Sequence, residues 1–458
     1  MRYVSTRGSA PALSFEEVTL AGLAADGGLY VPERWPALAA AEIRALAGLD
    51  YVETCVRVCA PFVRGSLSED ELCTMARAAY GGFAHDAVTP LVQLDRRHWL
   101  LELFHGPTLA FKDVALQLLG QMFARFLRGR DRPLTIIGAT SGDTGSAAIH
   151  AVAGLAAAEI FMAHPAERIS DVQRRQMTTV DAPNVHNVAI AGSFDDAQRH
   201  VKRMFGDPAL TDRFDFGAVN SINWARLMAQ VVYYFYAAVR LGAPDRKVAF
   251  SVPTGNFGDV FAGYVAAKMG LPVERLIVAT NVNDILHRAL SADDYSVGEV
   301  TQTAAPSMDI QVSSNFERLL YDLDPAGLAR RMAGFEADGK LDMAGLGERG
   351  LFASARVDEP AMQGAMREAL AGAGQLIDPH TAIGLAAARE VALPADVPVV
   401  TLATAHPAKF GAAVHAATGR DPDLPARLGS LMTDAEHYER IGGDYEAFRD
   451  HVAAHGNA

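Results

Sequence analysis

Short continuous apolar runs alternate along the chain with stretches of helical periodicity, and glycine-rich or polar turns join them. The stretch 194–205 illustrates the helical pattern, because Phe194, Ala197, Val201 and Phe205 fall on one face. Continuous apolar strands that alternate with helices favour parallel sheets covered on both faces. We therefore predict an α/β fold. The predicted strands are 133–138, 159–164, 184–190, 247–252, 275–281 and 398–403.

The apolar runs fall into two series, which predicts two open, mostly parallel-sheet α/β domains. A length of 458 residues also exceeds one ordinary core. The expected limits are a small, mainly helical N-terminal region at 1–95, a smaller α/β domain at 96–240, a larger one at 241–458, and a less regular insertion near 297–342.

Three polar turns directly follow predicted strands: SGDTG (141–145), GNFGD (255–259) and TAHPAKF (404–410). In open parallel sheets, ligands bind beyond the carboxyl ends of the strands. We therefore expect the three turns to converge on one ligand site in the cleft between the two domains.

The formal net charge of −13 disfavours a nucleic-acid partner, since such proteins concentrate positive charge. The longest apolar segment, 228–239, is too short to cross a bilayer, and the first residues do not form a signal peptide. Cys55, Cys59 and Cys73 have neither a zinc nor a redox spacing. These features predict a cytoplasmic protein with no membrane partner and no metal. They leave the oligomeric state open between a monomer and a homodimer.

Only six lysines occur, and of these Lys112 and Lys409 alone lack an ordinary surface or helix-end explanation. In the segment HGPTLAFKD, the hydroxyl of Thr108 could cap a helix whose first turns contain Lys112. A helix start and apolar neighbours lower the pKa of an amine, and such a lysine can form an imine with an aldehyde. The alternative is an exposed lysine paired with Asp113.

The turn GNFGD lies between a predicted strand and a predicted helix, so its free backbone N–H groups could bind a phosphate without any cation. The alternative is a tight turn that needs a positive φ. No Walker A spacing is present, which disfavours a P-loop nucleotide binder. The candidate phosphate-binding residues are Gly255, Asn256, Phe257, Gly258 and Asp259.

The other turns offer further polar groups. Ser141, Asp143 and Thr144 stand where a ring or a carboxylate could bind, although Asp143 or Thr144 could instead cap the following helix. Thr404 lies at a strand end, where its hydroxyl could meet a ring nitrogen.

The segment NSINWAR precedes a long helix expected over 223–241. It contains the donors Asn220, Ser221, Asn223 and Arg226, which suit an anionic group of a substrate. The alternative is an ordinary N-cap followed by a surface arginine.

Taken together, nine segments in this order resemble threonine synthase, of the longer kind found in enteric bacteria and fungi. Their order along most of the chain makes coincidence a poor explanation. The segments are MRYVSTRG, GLYVP, LELFHGPTLAFKD, GATSGDTGSAAI, GSFDDAQ, NSINWAR, SVPTGNFGD, SMDIQVSSNFERLL and TAHPAKF.

The resemblance implies the tryptophan-synthase-β-like fold (type II) of pyridoxal-phosphate enzymes. It implies that Lys112 is the Schiff-base lysine, that residues 255–259 hold the cofactor phosphate and that Thr404 meets the pyridine nitrogen. It further places the SGDTG turn beside the ring, with Asp143 on the cofactor side. The implied substrate-binding residues are Thr108, Ser141, Thr144, Asn220, Ser221, Asn223 and Arg226.

The implied reaction converts O-phospho-L-homoserine and water into L-threonine and phosphate, by γ-elimination followed by addition of water at Cβ. A related dehydratase or phospho-amino-acid lyase would share Lys112 and the glycine turns but release a 2-oxo acid. A non-catalytic, threonine-synthase-like binding protein is the alternative from another class, and the intact Lys112 and GNFGD segments disfavour it.

Overall fold

The computed structural model describes residues 1–166, 169–346 and 349–457, and within these ranges two mostly parallel sheets dominate. The strands are β1 (Tyr3–Ser5), β2 (Tyr30–Pro32), β3 (Leu91–Gln93), β4 (His98–Glu102), β5 (Leu134–Ala139), β6 (Ala158–Pro165), β7 (Val185–Ile190), β8 (Asp215–Gly217), β9 (Val248–Pro253), β10 (Val273–Thr280), β11 (Tyr295–Ser296), β12 (Lys340–Leu341), β13 (Phe352–Arg356), β14 (Val399–Ala403) and β15 (Glu439–Ile441).

Helices cover both faces of these sheets. They are α1 (Phe15–Ala21), α2 (Ala40–Ala45), α3 (Tyr51–Val63), α4 (Glu69–Tyr80), α5 (Lys112–Phe126), α6 (Asp143–Val152), α7 (Asp171–Thr178), α8 (Phe194–Met204), α9 (Pro208–Thr211), α10 (Trp224–Arg240), α11 (Gly258–Lys268), α12 (Ile285–Ala292), α13 (Phe316–Leu323), α14 (Leu328–Asp338), α15 (Glu359–Ala373), α16 (Pro379–Glu390), α17 (Gly411–Thr418) and α18 (Tyr445–His455).

The larger sheet has the strand order β13-β10-β9-β14-β4-β3, and its pairs are parallel except the edge pair β3–β4. Successive residues of β9 face different cores. Phe250 and Val252 pack with α10 and α11, whereas Ala249 packs with α15 and α16. Burial on both faces explains why this strand is a continuous apolar run rather than an alternating one.

The smaller sheet has the order β15-β7-β6-β5-β8, with parallel pairs throughout. On β6, Ile160 and Met162 share a core with α5 and α6, and Phe161 and Ala163 share another with α8 and α18. The predicted α/β class is therefore confirmed, including mostly parallel sheets with helices on both faces.

Sheet membership differs from the expected domain limits near both ends of the chain. Strand β4 pairs with β14 in the larger sheet, although it falls within 96–240. Strand β15 pairs with β7 in the smaller sheet, and α18 covers that sheet, although both fall within 241–458. Strand pairing is a long-range contact, and β15 is too short and polar to produce an apolar run.

The N-terminal region contains α1 to α4, as expected, and also the antiparallel pair β1–β2. It packs on α10, where the ring centroids of Tyr3 and Trp224 lie 5.8 Å apart and the Asn223 amide donates to the Thr19 carbonyl at 2.9 Å. Helix α10 lies within the expected 223–241 and is buried along all but its last residue. No helix in the described ranges is both long and apolar enough to span a membrane.

Candidate active site

Two of the polar turns meet at the start of α5, between the two sheets. The backbone N–H of Phe111 donates to the Thr404 carbonyl at 2.8 Å, which joins the lysine-bearing loop to the end of β14. On the other side, the Nζ of Lys112 lies 3.3 Å from Oδ2 of Asp143, the first residue of α6, in the turn that follows β5. The structure therefore brings the carboxyl ends of strands from both sheets together around Lys112.

Lys112 is the first residue of α5, and its side chain is only 11% exposed. Burial lowers the pKa of Lys112, the Asp143 carboxylate opposes this shift, and the cation of Lys409 adds to it. The alternative of an exposed lysine paired with Asp113 is wrong, since Asp113 accepts hydrogen bonds from Thr108 instead. An amine with a lowered pKa is more readily neutral and therefore nucleophilic.

Asp143 is a buried carboxylate shared by two lysines. Its Oδ1 lies 3.0 Å from the Nζ of Lys409 and accepts a hydrogen bond from Gln173 at 2.9 Å, while Oδ2 faces Lys112. Burial alone would raise the pKa of Asp143, but the cations of Lys409 and Lys112 outweigh it and hold this pKa well below its ordinary value. Asp143 is therefore ionised and fixes the position of the Lys112 amine.

Lys409 is a site residue to which the sequence analysis assigned no role. It is fully buried, and besides contacting Asp143 its ammonium donates to the Thr108 carbonyl at 2.6 Å and to Oε1 of Gln176 at 2.8 Å. Lys409 thus ties the turn after β14 to the lysine-bearing loop, to α7 and to the start of α6. The sequence signal that could have identified Lys409 as a site residue was its place in the apolar run PAKF, directly after the end of a predicted strand.

Thr108 does not cap a helix, contrary to the expectation. Its N–H and hydroxyl donate to the carboxylate of Asp113 at 2.8 and 2.7 Å, and α5 begins at Lys112 without a side-chain cap. Burial raises the pKa of Asp113 to about 6, although the Thr108 hydrogen bonds oppose the shift. The geometry therefore favours a role for Thr108 in holding the lysine-bearing loop rather than in contacting a substrate.

The start of α6 is held by Thr140, and neither Asp143 nor Thr144 serves as the cap. The Thr140 hydroxyl accepts from the backbone N–H groups of two glycines of the turn, at 3.0 and 2.9 Å. Within the described residues, the backbone N–H groups and hydroxyls of Ser141 and Thr144 make no hydrogen bond. This helix start therefore offers free donors to an anion such as a carboxylate.

The GNFGD turn connects β9 to α11 and has the form of an anion-binding loop. Phe257 adopts φ 62° and ψ 0°, which turns the chain into the helix. None of the backbone N–H groups of residues 255–259 donates a hydrogen bond within the described part of the chain. A Cβ added to Gly255 would lie 2.5 Å from the Ser307 carbonyl oxygen, so this position needs glycine. The loop thus presents unpaired amides at a positive helix end.

Only the backbone of Asp259 is available to this loop. Its carboxylate is buried and accepts from the hydroxyls of Tyr233 and Tyr234 on α10, at 2.5 and 3.0 Å. Burial raises the pKa of Asp259 to about 6, and the two tyrosines oppose the shift. Similarly, the ring of Phe257 packs inward, 5.2 Å from that of Phe316.

A buried clamp, formed by Ser313, Asn315 and Arg318, holds this loop. The Ser313 hydroxyl donates to the Gly255 carbonyl at 2.7 Å, and the Asn315 amide donates to the carbonyls of Asn256 and Ser221 at 3.0 and 3.2 Å. Arg318 hydrogen bonds to Asn315. The clamp falls within the stretch 297–342, for which the sequence suggested an insertion, and its positioning role depends on contacts with distant residues.

In the segment NSINWAR, Asn223 is occupied by the fold. Its side-chain oxygen accepts from the Ala225 N–H at 3.0 Å as the N-cap of α10, and its amide donates to two carbonyls. The N-cap alternative therefore describes this residue. Asn220 is exposed, and Ser221 is half-buried beside the clamp.

Arg226 is a buried cation without a carboxylate partner among the described residues. One of its terminal nitrogens donates to the Val219 carbonyl at 2.8 Å, and its Nε makes no hydrogen bond. Burial lowers the pKa of Arg226 to about 10. Its charge also contributes to the lowered pKa of Lys112. A buried, unpaired guanidinium is a strong site for an anion.

Comparison with protein families gives three matches along the chain. The model described as threonine synthase N terminus matches residues 2–80, that of pyridoxal-phosphate dependent enzymes matches 83–405, and that of the threonine synthase C-terminal region matches 381–452.

Individual proteins agree with the family matches. The threonine synthase of Pseudomonas aeruginosa is 52% identical over 100% of this chain and 99% of its own length. The crystal structure of pyridoxal-phosphate-bound threonine synthase from Brucella melitensis is 50% identical with a TM-score of 0.96, covering 100% of both chains. Yeast threonine synthase is 36% identical with a TM-score of 0.93, covering 99% of this chain and 98% of its own.

Proposed function

Because this chain belongs to the threonine synthase family of pyridoxal-phosphate-dependent enzymes, we propose that it converts O-phospho-L-homoserine and water into L-threonine and phosphate around Lys112. Threonine synthase activity and the cofactor follow from family membership. The substrate and the residue roles are the proposal. The observation that supports them most is the buried Lys112 amine, which is held by Asp143 and whose pKa is lowered by its surroundings.

The chemistry of the donors fits pyridoxal phosphate. When bound, this cofactor supplies an aldehyde for amines and a conjugated ring that takes up electron density. Lys112 provides an amine of lowered pKa, suited to binding the aldehyde. The free N–H groups of residues 255–259 would hold the phosphate at the start of α11, and the Thr404 hydroxyl would meet the ring nitrogen.

Two further sets of donors would hold the substrate by its ends. Arg226 would bind the substrate phosphate, since its guanidinium is desolvated and has no carboxylate partner among the described residues. The hydroxyls of Ser141 and Thr144, with the free N–H groups at the start of α6, would bind the substrate carboxylate. With both ends held, Cα and Cβ of the substrate would lie near Lys112.

Lys112 would act as the base of the reaction. Its neutral amine would remove the Cα proton, release it to become neutral again, and then remove a proton from Cβ as phosphate leaves from Cγ. Of these two protons and the one released by the water that adds at Cβ, one would go to Cγ, one back to Cα and one to the departing phosphate. Asp143 would hold this amine by the hydrogen bond to Oδ2 while Lys409 keeps the carboxylate in place. Arg226 would stabilise the phosphate that leaves from Cγ, and water would add at Cβ.

Proton NMR of the holoenzyme incubated with O-phospho-L-homoserine tests the proposal. We expect threonine to appear in step with inorganic phosphate. Lys112→Ala should abolish turnover and the visible absorbance of the lysine-bound cofactor, whereas the exposed control Lys202→Ala should retain both. A 2-oxo acid in place of threonine would identify an eliminase, and bound cofactor without any product would identify a binding protein.

Three finer points stay predictions of the sequence. These are the domain limits, the cytoplasmic location and the choice between monomer and homodimer.

A further inference from the structure

The C-terminal helix α18 lies across the edge of the smaller sheet, outside the active-site turns described above. Strand β15 pairs with β7 so that Glu439 stands opposite Val188. Residues two apart on a strand share a face, so His186 points to the same side of the sheet as Glu439. On α18, His451 and His455 are four residues apart and therefore share the helix face.

These side chains form a compact cluster. The Nδ1 of His451 lies 3.6 Å from Oε2 of Glu439, and the Nε2 of His455 lies 4.0 Å from its Oε1. One ligand atom from each of the three residues lies within 4.8 Å of the other two. Zinc binds imidazole nitrogen and carboxylate oxygen at about 2.0–2.2 Å, so ligand atoms around it are roughly 3.3 Å apart. Glu439 is 60% exposed and can move the small remaining distance.

His455 is oriented as a metal ligand usually is. The Nδ1 of His455 bonds to the backbone carbonyl of His451 at 2.9 Å, which directs the Nε2 of His455 outward towards Glu439. Such a bond through the second ring nitrogen is the usual support of a histidine ligand.

A third histidine stands next to this group. His186 stacks on Phe161 with centroids 4.3 Å apart, and its ring centroid lies 6.4 Å from that of His455. Its Nε2 is buried and has no hydrogen-bond partner among the described residues. The cluster also stands at the carboxyl end of α18, where the helix dipole favours a cation.

We propose that Glu439, His451 and His455 form a binding site for a divalent transition metal ion, with His186 or water as the fourth ligand. Two imidazoles and one carboxylate select zinc rather than magnesium or calcium, which prefer oxygen ligands. The ion joins the last helix to the edge strand of the smaller sheet. This role is structural and independent of the proposed reaction.

Zinc chloride titrated into chelator-treated holoenzyme, followed by competition with a chromophoric chelator, tests the site. We expect one zinc equivalent per chain that is lost or weakened by about ten-fold or more in His455→Ala and Glu439→Gln. The side chains of His455 and Glu439 are 44% and 60% exposed, so these variants should fold. The matched control is His415→Ala, another exposed histidine beside a carboxylate. Magnesium chloride should not compete.

A second readout is thermal unfolding. Zinc should raise the Tm of the unsubstituted protein and of His415→Ala, because an ion that binds only the folded state stabilises it, and should leave the Tm of His455→Ala unchanged. Zinc affinity in His455→Ala equal to that of the unsubstituted protein would overturn the proposal, and so would the lack of any zinc binding.

Discussion

Lys112 has neighbours of opposite sign, and their effects on its pKa can be separated. Asp143 raises this pKa and Lys409 lowers it, on top of the lowering by burial. Uptake of pyridoxal phosphate by apoenzyme needs the neutral amine, so its rate should rise with pH through the pKa of Lys112. Asp143→Asn should move that midpoint to lower pH, and Lys409→Met should move it to higher pH.

The growth of the visible absorbance of the lysine-bound cofactor, followed across a pH series, measures both midpoints. Lys247→Met is the matched control, because this exposed lysine pairs with Glu274 far from the turns and should leave the midpoint unchanged. A shift in the same direction for both variants would contradict the assigned charges.

Arg226 is expected to act on the substrate rather than on the cofactor. Arg226→Ala should raise the KM for O-phospho-L-homoserine by about ten-fold or more, as expected for loss of a hydrogen-bonded charge. The dissociation constant of the cofactor should change little. Arg226→Lys should recover part of the loss, and Arg240→Ala, at the exposed end of the same helix, is the control. Equal effects on the KM for the substrate and on the dissociation constant of the cofactor would mean that Arg226 has a structural role.

At the scale of elements, the start of α11 tests whether backbone geometry holds the cofactor. Gly255→Ala would place a Cβ 2.5 Å from the Ser307 carbonyl oxygen, which must then shift. We expect the dissociation constant of pyridoxal phosphate to rise by about ten-fold, or ~1.4 kcal/mol. Gly364→Ala, inside α15 with open space around its Cβ, should leave it unchanged in the same fluorescence titration. Equal dissociation constants for the two variants would mean that this loop does not bind the cofactor.

The contact between α10 and α11 should make stability depend on pH. Asp259 has an ordinary pKa of 3.8 that burial raises to about 6, while its Oδ2 has no partner and its Oδ1 accepts from both tyrosines. The folded pKa is the higher one. The stabilising contribution of Asp259 to the folded state is therefore fully present below pH 3.8 and is lost as pH rises through about 6.

Asp259→Asn keeps an oxygen for both tyrosines and cannot ionise. Its free energy of unfolding, relative to that of the unsubstituted protein, should therefore improve by about 2 kcal/mol between pH 4 and pH 7. Urea unfolding at several pH values measures this difference. A difference that does not change with pH would mean that Asp259 stays ionised in the folded state throughout.

The elements that could be predicted from sequence are those whose local pattern is strong. Strands β5, β6, β9, β10 and β14 are apolar runs bounded by turns, and α10 is an apolar stretch that begins at an N-cap asparagine. Strand β15 could not be found, since Glu439–Ile441 contains a single apolar residue. The buried clamp could not be predicted either, because the hydrogen bonds of its Asn315 and Arg318 join segments far apart in sequence.

At the scale of the whole molecule, the end of the chain completes a core that begins some three hundred residues earlier. Phe448 on α18 is fully buried with Phe161 and Val188 of the smaller sheet. Phe448→Ala should therefore lower the free energy of unfolding by about 3–5 kcal/mol. The mostly exposed control Asp450→Ala on the same helix should change it by less than ~0.5 kcal/mol.

Hydrogen exchange would show which sheet Phe448→Ala destabilises. We expect Phe448→Ala to speed exchange in β6 and β7 more than in β9, since the smaller sheet loses its cover while the larger sheet keeps both of its own. Uniform acceleration across both sheets would mean that the two unfold as one unit.

Only part of the candidate site could be predicted from the sequence, because only some of its residues have a local signature. Lys112 and the GNFGD turn have local signatures, a lysine among apolar residues and two glycines after a strand. The roles of Lys409, Thr108 and Asn223 depend on which distant groups their polar atoms reach, and that is set by the packing of the two sheets.

The chain passes back and forth between the two sheets, and this constrains when the site can form during protein synthesis. Lys112 emerges from the ribosome early, but its neighbour Lys409 follows almost three hundred residues later, and β4 must wait for β14 before it is paired on both sides. A nascent chain therefore contains the reactive lysine long before it contains a complete pocket. Cofactor capture must be a late, essentially post-translational event, and a prematurely terminated chain would expose an unfinished sheet instead of a smaller working enzyme.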